Sequence, residues 1–346
     1  MSEHPDDEMP SRATGVILKR RPNGKLVAED LALTESVIGE LTPGELLVRN
    51  RFFSVDASLR LRMTPTDSPY LPPYDVGSAL DGWAVGDVIA STADGFAPGD
   101  AVLHYLGWRD IARVPVAGPA WTAPRPVDPA RDLSAYLGAL GPTGLTAWAG
   151  LTLAAELRAG DVVYVSAGAG AVGSLVVQIA KSRGHRVVAS AGSPAKVEHL
   201  TAVLGADAAF DYHEGVAEGL ARVAPDGIDV YFDNVGGSHL DAALDAMREG
   251  GRIALCGAIS DYETPDGVRA GVTRLFAATE RGLTLRGFLA RMYADRWADF
   301  DSEMSALLNA GAVTGQDAIH DGLAAAPHAL VGLLGGAHIG KTVVRL

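Results

Sequence analysis

The 346-residue chain has one cysteine, Cys256, and fewer basic than acidic side chains. One thiol cannot close an internal disulfide or supply a multi-cysteine structural zinc site. The nine histidines are scattered, with no His-x-x-x-His or His-Glu-x-x-His pair, so no metal centre is expected. Lys and Arg number 29 against 42 Asp and Glu, a net charge of −13. That balance argues against nucleic acid or an anionic membrane surface as a partner, though a local basic pocket for a phosphate is compatible with it. No apolar run is long enough to span a bilayer. The N-terminal stretch MSEHPDDEMPSRA is acidic and polar and has no hydrophobic core region, so a secretory signal is not expected. A disordered lead-in and a cytoplasmic location are. Apolar residues make up 48% and charged residues 21%, an ordinary globular balance, and the length suggests two domains. Cys256, in Ile253–Gly257, reads as a small apolar strand residue rather than a nucleophile.

Residues 161–193 read as strand, glycine-rich turn, helix and strand. Val162–Val165 is a β-branched and aromatic run, and Gly168, Gly170 and Gly173 follow in G-x-G-x-x-G spacing. Ser174–Arg183 has helical content, Gly184 stops it, and Arg186–Ala189 begins a second strand. In a dinucleotide fold the first glycine permits the tight turn, the second lets backbone approach a pyrophosphate, and the third lets helix and strand pack closely. The helix N-terminus then offers N–H groups to the phosphates. A glycine motif alone is weak in a chain with 41 glycines, and here the flanking strands and helix carry the reading.

A second absence selects the dinucleotide. An NAD site places Asp or Glu at the end of the second strand, where it holds the ribose 2′-OH. This chain has Ala189-Ser190-Ala191-Gly192-Ser193 and then Lys196. No carboxylate stands there to repel a 2′-phosphate, and Ser193 and Lys196 can supply a hydrogen bond and a charge. The expected cofactor is NADPH.

Around this unit, Thr14–Lys19 and Gly44–Ser54 read as strands, residues 61–75 with four prolines as an irregular loop, and residues 83–90 and 96–102 as further short strand and turn segments. Such spacing suggests a small β-barrel or strongly bent sheet. Residues 132–158 read as two helical stretches separated by Leu140–Gly144. Strands are then expected at 162–165, 186–189, 208–210, 229–232, 252–256 and 283–287, with helices between them, including Pro194–Leu204 and Gly237–Met247. This alternation is the doubly wound α/β pattern. Residues 298–310 read as a helix, and Ile339–Leu346 as a strand able to return to the N-terminal β-domain.

The stretches LKRRPNGKL, FFSVDASLRLRM, GDAVLHYLGWRDIARV, LGALGPTGLTAWAGL, VSAGAGAVGSLVVQIAK, GIDVYFDNVGGSHLDAAL, GRIALCGAIS and GKTVVRL, in this order, resemble the zinc-independent medium-chain dehydrogenase/reductase superfamily. The similarity runs from about Val16 to Leu346. It is strongest to the leukotriene B4 dehydrogenase, prostaglandin reductase and curcumin reductase group, the alkenal double-bond reductases. The resemblance implies a GroES-like β-barrel substrate domain (1–130), a Rossmann NADP-binding domain with a doubly wound parallel sheet (131–308), a C-terminal return to the first domain (309–346), and a homodimer.

It further implies that Gly168, Ala169, Gly170, Ala171, Val172 and Gly173 form the pyrophosphate turn, and that Lys196 and Tyr212 hold the 2′-phosphate with help from Ser193. Asn234 falls at a strand end, Cys256, Gly257, Ala258, Ile259, Phe288 and Leu289 in segments lining the nicotinamide, and Thr143 in a segment facing the cofactor. The family usually has Asn-x-Gly-Lys where this chain has His338-Ile339-Gly340-Lys341, and a tyrosine where it has Ser58. His338 can still donate a hydrogen bond to the cofactor. The implied reaction is NADPH-dependent reduction of the double bond of an enone or enal, with hydride reaching the β-carbon and an enolate forming. Tyr262 is the one catalytic side chain expected, as donor to the enolate oxygen or source of the proton, with Asp261 and Glu263 facing solvent. Phe53, Leu71, Tyr74, Tyr105, Trp108 and Met292 are expected as an apolar substrate wall, each equally able to be core. The alternative activities are an NADPH:quinone reductase and a specialised biosynthetic enoyl reductase.

Overall fold

A computed structural model describes residues 9–65, 72–264 and 271–346. Leu71 of the expected substrate wall and Pro69 of the proline-rich loop lie outside these residues.

Six strands form a parallel sheet in the spatial order Ala208–Asp211, Arg186–Ala191, Val162–Val165, Ile228–Asp233, Met247–Leu255 and Thr284–Gly287. This is the doubly wound order, and it reverses between Val162–Val165 and its neighbour Ile228–Asp233, where such sheets open a crevice for ligands. The first of these two strands is buried at every position, as expected of a strand covered on both faces. Helix Ala171–Ser182 packs Leu175, Val176, Ile179 and Ala180 into one core with Val163, Val165 and Val187. Gly184, at φ 81°, ends that unit, and its amide donates to Lys181 at 2.9 Å.

A second sheet has seven strands. Its main path runs Asp317–Asp321, Lys341–Arg345, Glu45–Ser54, Ala84–Ser91, Ala101–His104 and Arg125–Pro126, and Ile111–Pro115 also pairs with Glu45–Ser54. The C-terminal strand lies antiparallel to Glu45–Ser54. A two-stranded sheet joins Arg12–Leu18 to Leu31–Val37.

Several boundaries differ from the sequence reading. Leu140–Gly144 does not separate two helices. Pro142 opens a helix running to Ala149, which continues as a wider turn over Gly150–Ala154. Proline suits the first turn, where an amide would have no partner in the helix. Gly144 lies inside that helix because a Cβ there would stand 2.7 Å from the Ala139 carbonyl carbon and 3.0 Å from Phe300. The stretch before it is a single 3-10 turn, Leu133–Tyr136. The strand expected to run through Cys256 ends at Leu255, because the Cys256 amide donates instead to Asp233 at 2.9 Å. Strands Leu31–Val37 and Asp317–Asp321 were not anticipated. The first is largely exposed, the second largely half-buried, and both lack a long apolar run.

Candidate active site

The glycine turn leaves the central strand through Ala167, held at φ 48°. Gly168 donates to the Ser190 carbonyl at 2.9 Å, and Gly170 to Ala167 at 2.9 Å. A Cβ at Gly168 would stand 2.9 Å from the Ala189 Cβ, and one at Gly173 would stand 2.8 Å from the Gly168 Cα. Strand, turn and helix therefore touch where these residues carry no side chain. Gly170 is the cap residue of helix Ala171–Ser182, and no side chain caps its first amides, which Ala171, Val172 and Gly173 carry. The buried Ala169 accepts the Gly340 amide at 2.8 Å, so the C-terminal segment is tied to the turn.

At the end of Arg186–Ala191 a polar group assembles. The Tyr212 hydroxyl lies 2.9 Å from where a Cβ on Gly192 would be. Its ring packs 4.3 Å from His213 and edge-on to His239 at 5.2 Å, and the residue is exposed. Ser193 caps helix Pro194–Ala202, its hydroxyl accepting the Lys196 amide at 3.4 Å. Lys196 Nζ donates to the Gly336 carbonyl at 2.7 Å, and burial lowers its pKa. His338, two residues beyond Gly336, packs edge-on to His320 at 4.8 Å. Its buried Nε2 has no hydrogen-bond partner among the described residues. Burial, then the charges of His320 and Lys196, lower its pKa, against a hydrogen bond with the Ala329 backbone.

A second group gathers at the ends of the two strands beyond the switch point. Asn234 donates from Nδ2 to the Ser166 carbonyl at 2.8 Å, and from its amide to Ser166 Oγ at 3.0 Å. The Cys256 and Gly257 amides both donate to the Asp233 carbonyl, at 2.9 and 3.0 Å. Burial, assisted by the charge of Asp233, pushes the Cys256 thiol up to about 12, so it stays protonated. Ala258 lies against Gly236, and Ile259 donates to Asn234 at 3.3 Å. One 3-10 turn, Ile259–Asp261, then presents Tyr262. The Tyr262 hydroxyl lies 3.2 Å from where a Cβ on Gly257 would be.

Thr143 and Phe288 are placed differently. Thr143 is buried and donates to Leu137 at 2.9 Å, and Phe288 is a core side chain set edge-on to Phe232. Leu289, half-buried, follows it into a run of 3-10 turns.

Three of the expected substrate-wall residues are core. Phe53 and Trp108 are fully buried against one another, with the Trp108 indole donating to Ser54, and Tyr74 is buried beneath the Arg62 guanidinium. Met292 is exposed. Tyr105 packs edge-on to Trp83 at 5.2 Å. Glu263 does not simply face solvent, because its carboxylate accepts the Leu26 amide at 2.9 Å across 237 positions of sequence. The Asp233 carboxylate, which sequence reasoning missed, accepts the Val235 and Gly236 amides and the Tyr231 hydroxyl, and so fixes the loop that carries Asn234. Its signal was an Asp immediately before Asn-Val-Gly-Gly at a strand end.

A model of the N-terminal domain of oxidoreductases matches residues 15–120, and one of zinc-binding dehydrogenases matches residues 171–309. The NADPH-dependent curcumin reductase of Escherichia coli is 36% identical over 95% of this chain and 96% of its own length. The NADP(+)-dependent 2-alkenal reductase of Nicotiana tabacum is 37% identical over 95% and 96%. The structure of CurA from Vibrio vulnificus in complex with NADPH, 34% identical, superposes with a TM-score of 0.86 over 96% of this chain and 98% of that one. The fold and crevice define a medium-chain dehydrogenase/reductase. Within that superfamily the chain belongs to the NADP-dependent alkenal and curcumin reductase group. The zinc of the wider family does not fit it: there is one cysteine, and no cluster of three His, Cys, Asp or Glu able to hold a metal occurs among the described residues.

Proposed function

We propose that the protein reduces the carbon–carbon double bond of α,β-unsaturated ketones and aldehydes, with NADPH as reductant. The observation that carries the cofactor choice is the convergence of Lys196, Ser193 and Tyr212 at a strand end that bears no carboxylate. The residues fit the group. Gly168 and Gly173 let strand, turn and helix close up, Gly170 between them leaves the backbone open apart from the Ala167 carbonyl, and no side chain among the described residues caps the first amides of the helix that follows. Lys196, Ser193 and Tyr212 would hold the 2′-phosphate, with His338 near Lys196. Gly168 to Gly173 would hold the pyrophosphate, and Asn234, Cys256 to Ile259 and Leu289 would shape the nicotinamide end, with Phe288 in the core against which Cys256 packs. When bound, NADPH supplies the hydride that the β-carbon receives.

The chain's own part is to orient the substrate and stabilise charge. As the substrate becomes an enolate, its oxygen needs a hydrogen-bond donor positioned beforehand. Tyr262 is that donor. Its hydroxyl sits over Gly257, beside the segment that carries Asn234, and one turn of 3-10 helix fixes its backbone. The α-carbon then takes a proton from Tyr262 or from water. The thiol of Cys256, held protonated, serves as wall rather than nucleophile.

The division into a substrate domain (1–130), a cofactor domain (131–308) and a C-terminal return (309–346) suits this reading. So does a homodimer formed at the outer edge of Thr284–Gly287, beside the exposed Leu275 and Phe276. A cytoplasmic site of action fits the NADPH requirement, and no helix among the described residues is long and apolar enough to cross a membrane. The test is NADPH oxidation across a panel of enones, enals and quinones, with NADH as control. An enone consumed and recovered as its saturated ketone supports the reading. Turnover confined to quinones overturns it.

A further inference from the structure

The hydrogen bond from the Leu26 amide to Glu263 joins two parts of the molecule that share no sheet. Leu26 belongs to the loop that connects the strands of the two-stranded sheet, and this loop is built to be held still. Asp30, nearly buried, pairs with Arg20 at 2.7 Å and accepts the Val27 amide at 3.1 Å. Arg60, on the short helix Leu59–Arg62 and 3% exposed, donates to the Gly24 carbonyl at 2.7 Å. Burial lowers the pKa of Arg60, and the nearby carboxylates of Glu263 and Asp30 act against that. Its buried Nε has no hydrogen-bond partner among the described residues. A buried guanidinium of this kind needs a countercharge, and Glu263, reaching in from the other side, is one of the two available.

Glu263 is also the residue after Tyr262. The turn bearing both is fastened on its own side by the Ser260 amide and hydroxyl, which donate to the Val235 carbonyl at 3.2 and 2.7 Å. Its other anchor is the Leu26 amide. We infer that Glu263 is a positioning residue: it clasps the Tyr262 turn to the Lys19–Asp30 loop, with Arg60 as countercharge, and so holds the tyrosine hydroxyl where the substrate oxygen develops charge. This rests on the proposed role of Tyr262. The physical reason is that a donor aimed at a developing charge is useful only if it does not have to move into place.

The test compares Glu263→Ala, Glu263→Gln, Tyr262→Phe and the Glu263→Ala/Tyr262→Phe double variant in the full-length protein with NADPH and an enone. Glu263→Ala is expected to lower kcat about tenfold with NADPH affinity unchanged within about twofold. Glu263→Gln, which keeps an acceptor oxygen for the Leu26 amide but gives up the charge facing Arg60, is expected to recover part of that loss. If Glu263 acts through Tyr262, adding Glu263→Ala to Tyr262→Phe costs less than about twofold more. Amide exchange supplies a readout without turnover: peptides covering residues 24–27 and 259–264 are expected to exchange faster in Glu263→Ala and near the native rate in Glu263→Gln. Should Glu263→Ala fail to fold, Glu263→Asp, one methylene short of the Leu26 amide, is expected to show the same lower rate and faster exchange, and native values in it overturn the clasp. A loss in Tyr262→Phe with native rate and exchange in the Glu263 variants overturns the clasp alone. Full activity in Tyr262→Phe overturns the role of Tyr262 and the clasp with it. Additive losses in the double variant likewise overturn it.

Discussion

Lys341 Nζ lies 2.8 Å from the Asp56 carboxylate and 3.1 Å from the Val55 carbonyl, so the C-terminal strand is fastened to a turn 285 positions earlier. The Ser54 hydroxyl donates to the other Asp56 oxygen at 2.5 Å. Lys341 is 4% exposed and Asp56 about a third, so the ammonium is the buried member. Asp56→Asn strips the countercharge from a buried cation. The expected cost is about 3 kcal/mol, the low end for such a break because Asp56 keeps some contact with water. Denaturant unfolding measures it. Combining Asp56→Asn with Lys341→Met should recover much of the loss, and no recovery would show that the strand is not held by this pair.

Lys196 spends its ammonium on the Gly336 carbonyl, an acceptor that a phosphate would outcompete. Lys196→Ala is therefore expected to weaken NADPH about 10- to 100-fold and NADH by less than about threefold, a charged hydrogen bond being worth about 1.5–3 kcal/mol. Titration of tryptophan fluorescence with each nucleotide measures both. Equal losses would remove Lys196 from the 2′-phosphate site.

Much of this site was legible because its signals are local. The glycine turn, the missing acid at Ala191–Ser193 and the alternation of strands and helices are each contained in a few dozen residues. The doubly wound parallel sheet followed from that alternation. What could not be read is what depends on distant partners. Nothing near Glu263 signals Leu26, and nothing near Lys341 signals Asp56. Phe53, Trp108 and Tyr74 have the composition of a pocket wall, and only tertiary packing shows them to be core. The helix at Pro142 was misplaced because Gly-Pro and Thr-Gly are ordinarily turn dipeptides, and here close packing on Ala139 and Phe300 requires the glycine within a helix.

The glycines of the turn should separate by role. Gly173→Ala drives a methyl into the Ala167 carbonyl and the Gly168 Cα, so it is expected to cost about 1–3 kcal/mol of stability as well as NADPH binding. At Gly170 a Cβ meets only the Ala167 carbonyl, at 3.2 Å. Gly170→Ala should therefore leave the melting temperature nearly unchanged while weakening NADPH by about tenfold or more, because the second glycine is the one that admits the pyrophosphate to the backbone. Thermal unfolding and nucleotide titration on both variants check this. Equal destabilisation would contradict the assignment.

Buried histidines, with His104 and His239 the most strongly shifted, make the fold less stable at acid pH. His104 is completely buried, accepts the Leu106 amide on Nδ1 at 3.1 Å, and so carries its proton on Nε2 toward the Asn50 carbonyl oxygen at 2.8 Å. Burial, with the charge of Arg109, lowers its pKa to about 3. His239, beneath Tyr212 and near the Tyr164 hydroxyl at 3.3 Å, is lowered by burial to about 4. Both stay neutral in the folded protein at pH values where the unfolded chain, with histidines near 6.5, has taken up protons. The unfolded state then binds more protons, so stability falls as pH drops. The slope is about 1.4 kcal/mol per pH unit for each histidine, beginning near pH 6.5 and ending near pH 4 for His239 and pH 3 for His104. Above about pH 7 these two contribute no pH dependence. Urea unfolding at pH 7.5, 6 and 5 is expected to show the decline, and His104→Gln, which can keep a donor toward Asn50, should flatten it by about half. A native-like slope in that variant would place the acid sensitivity in other groups.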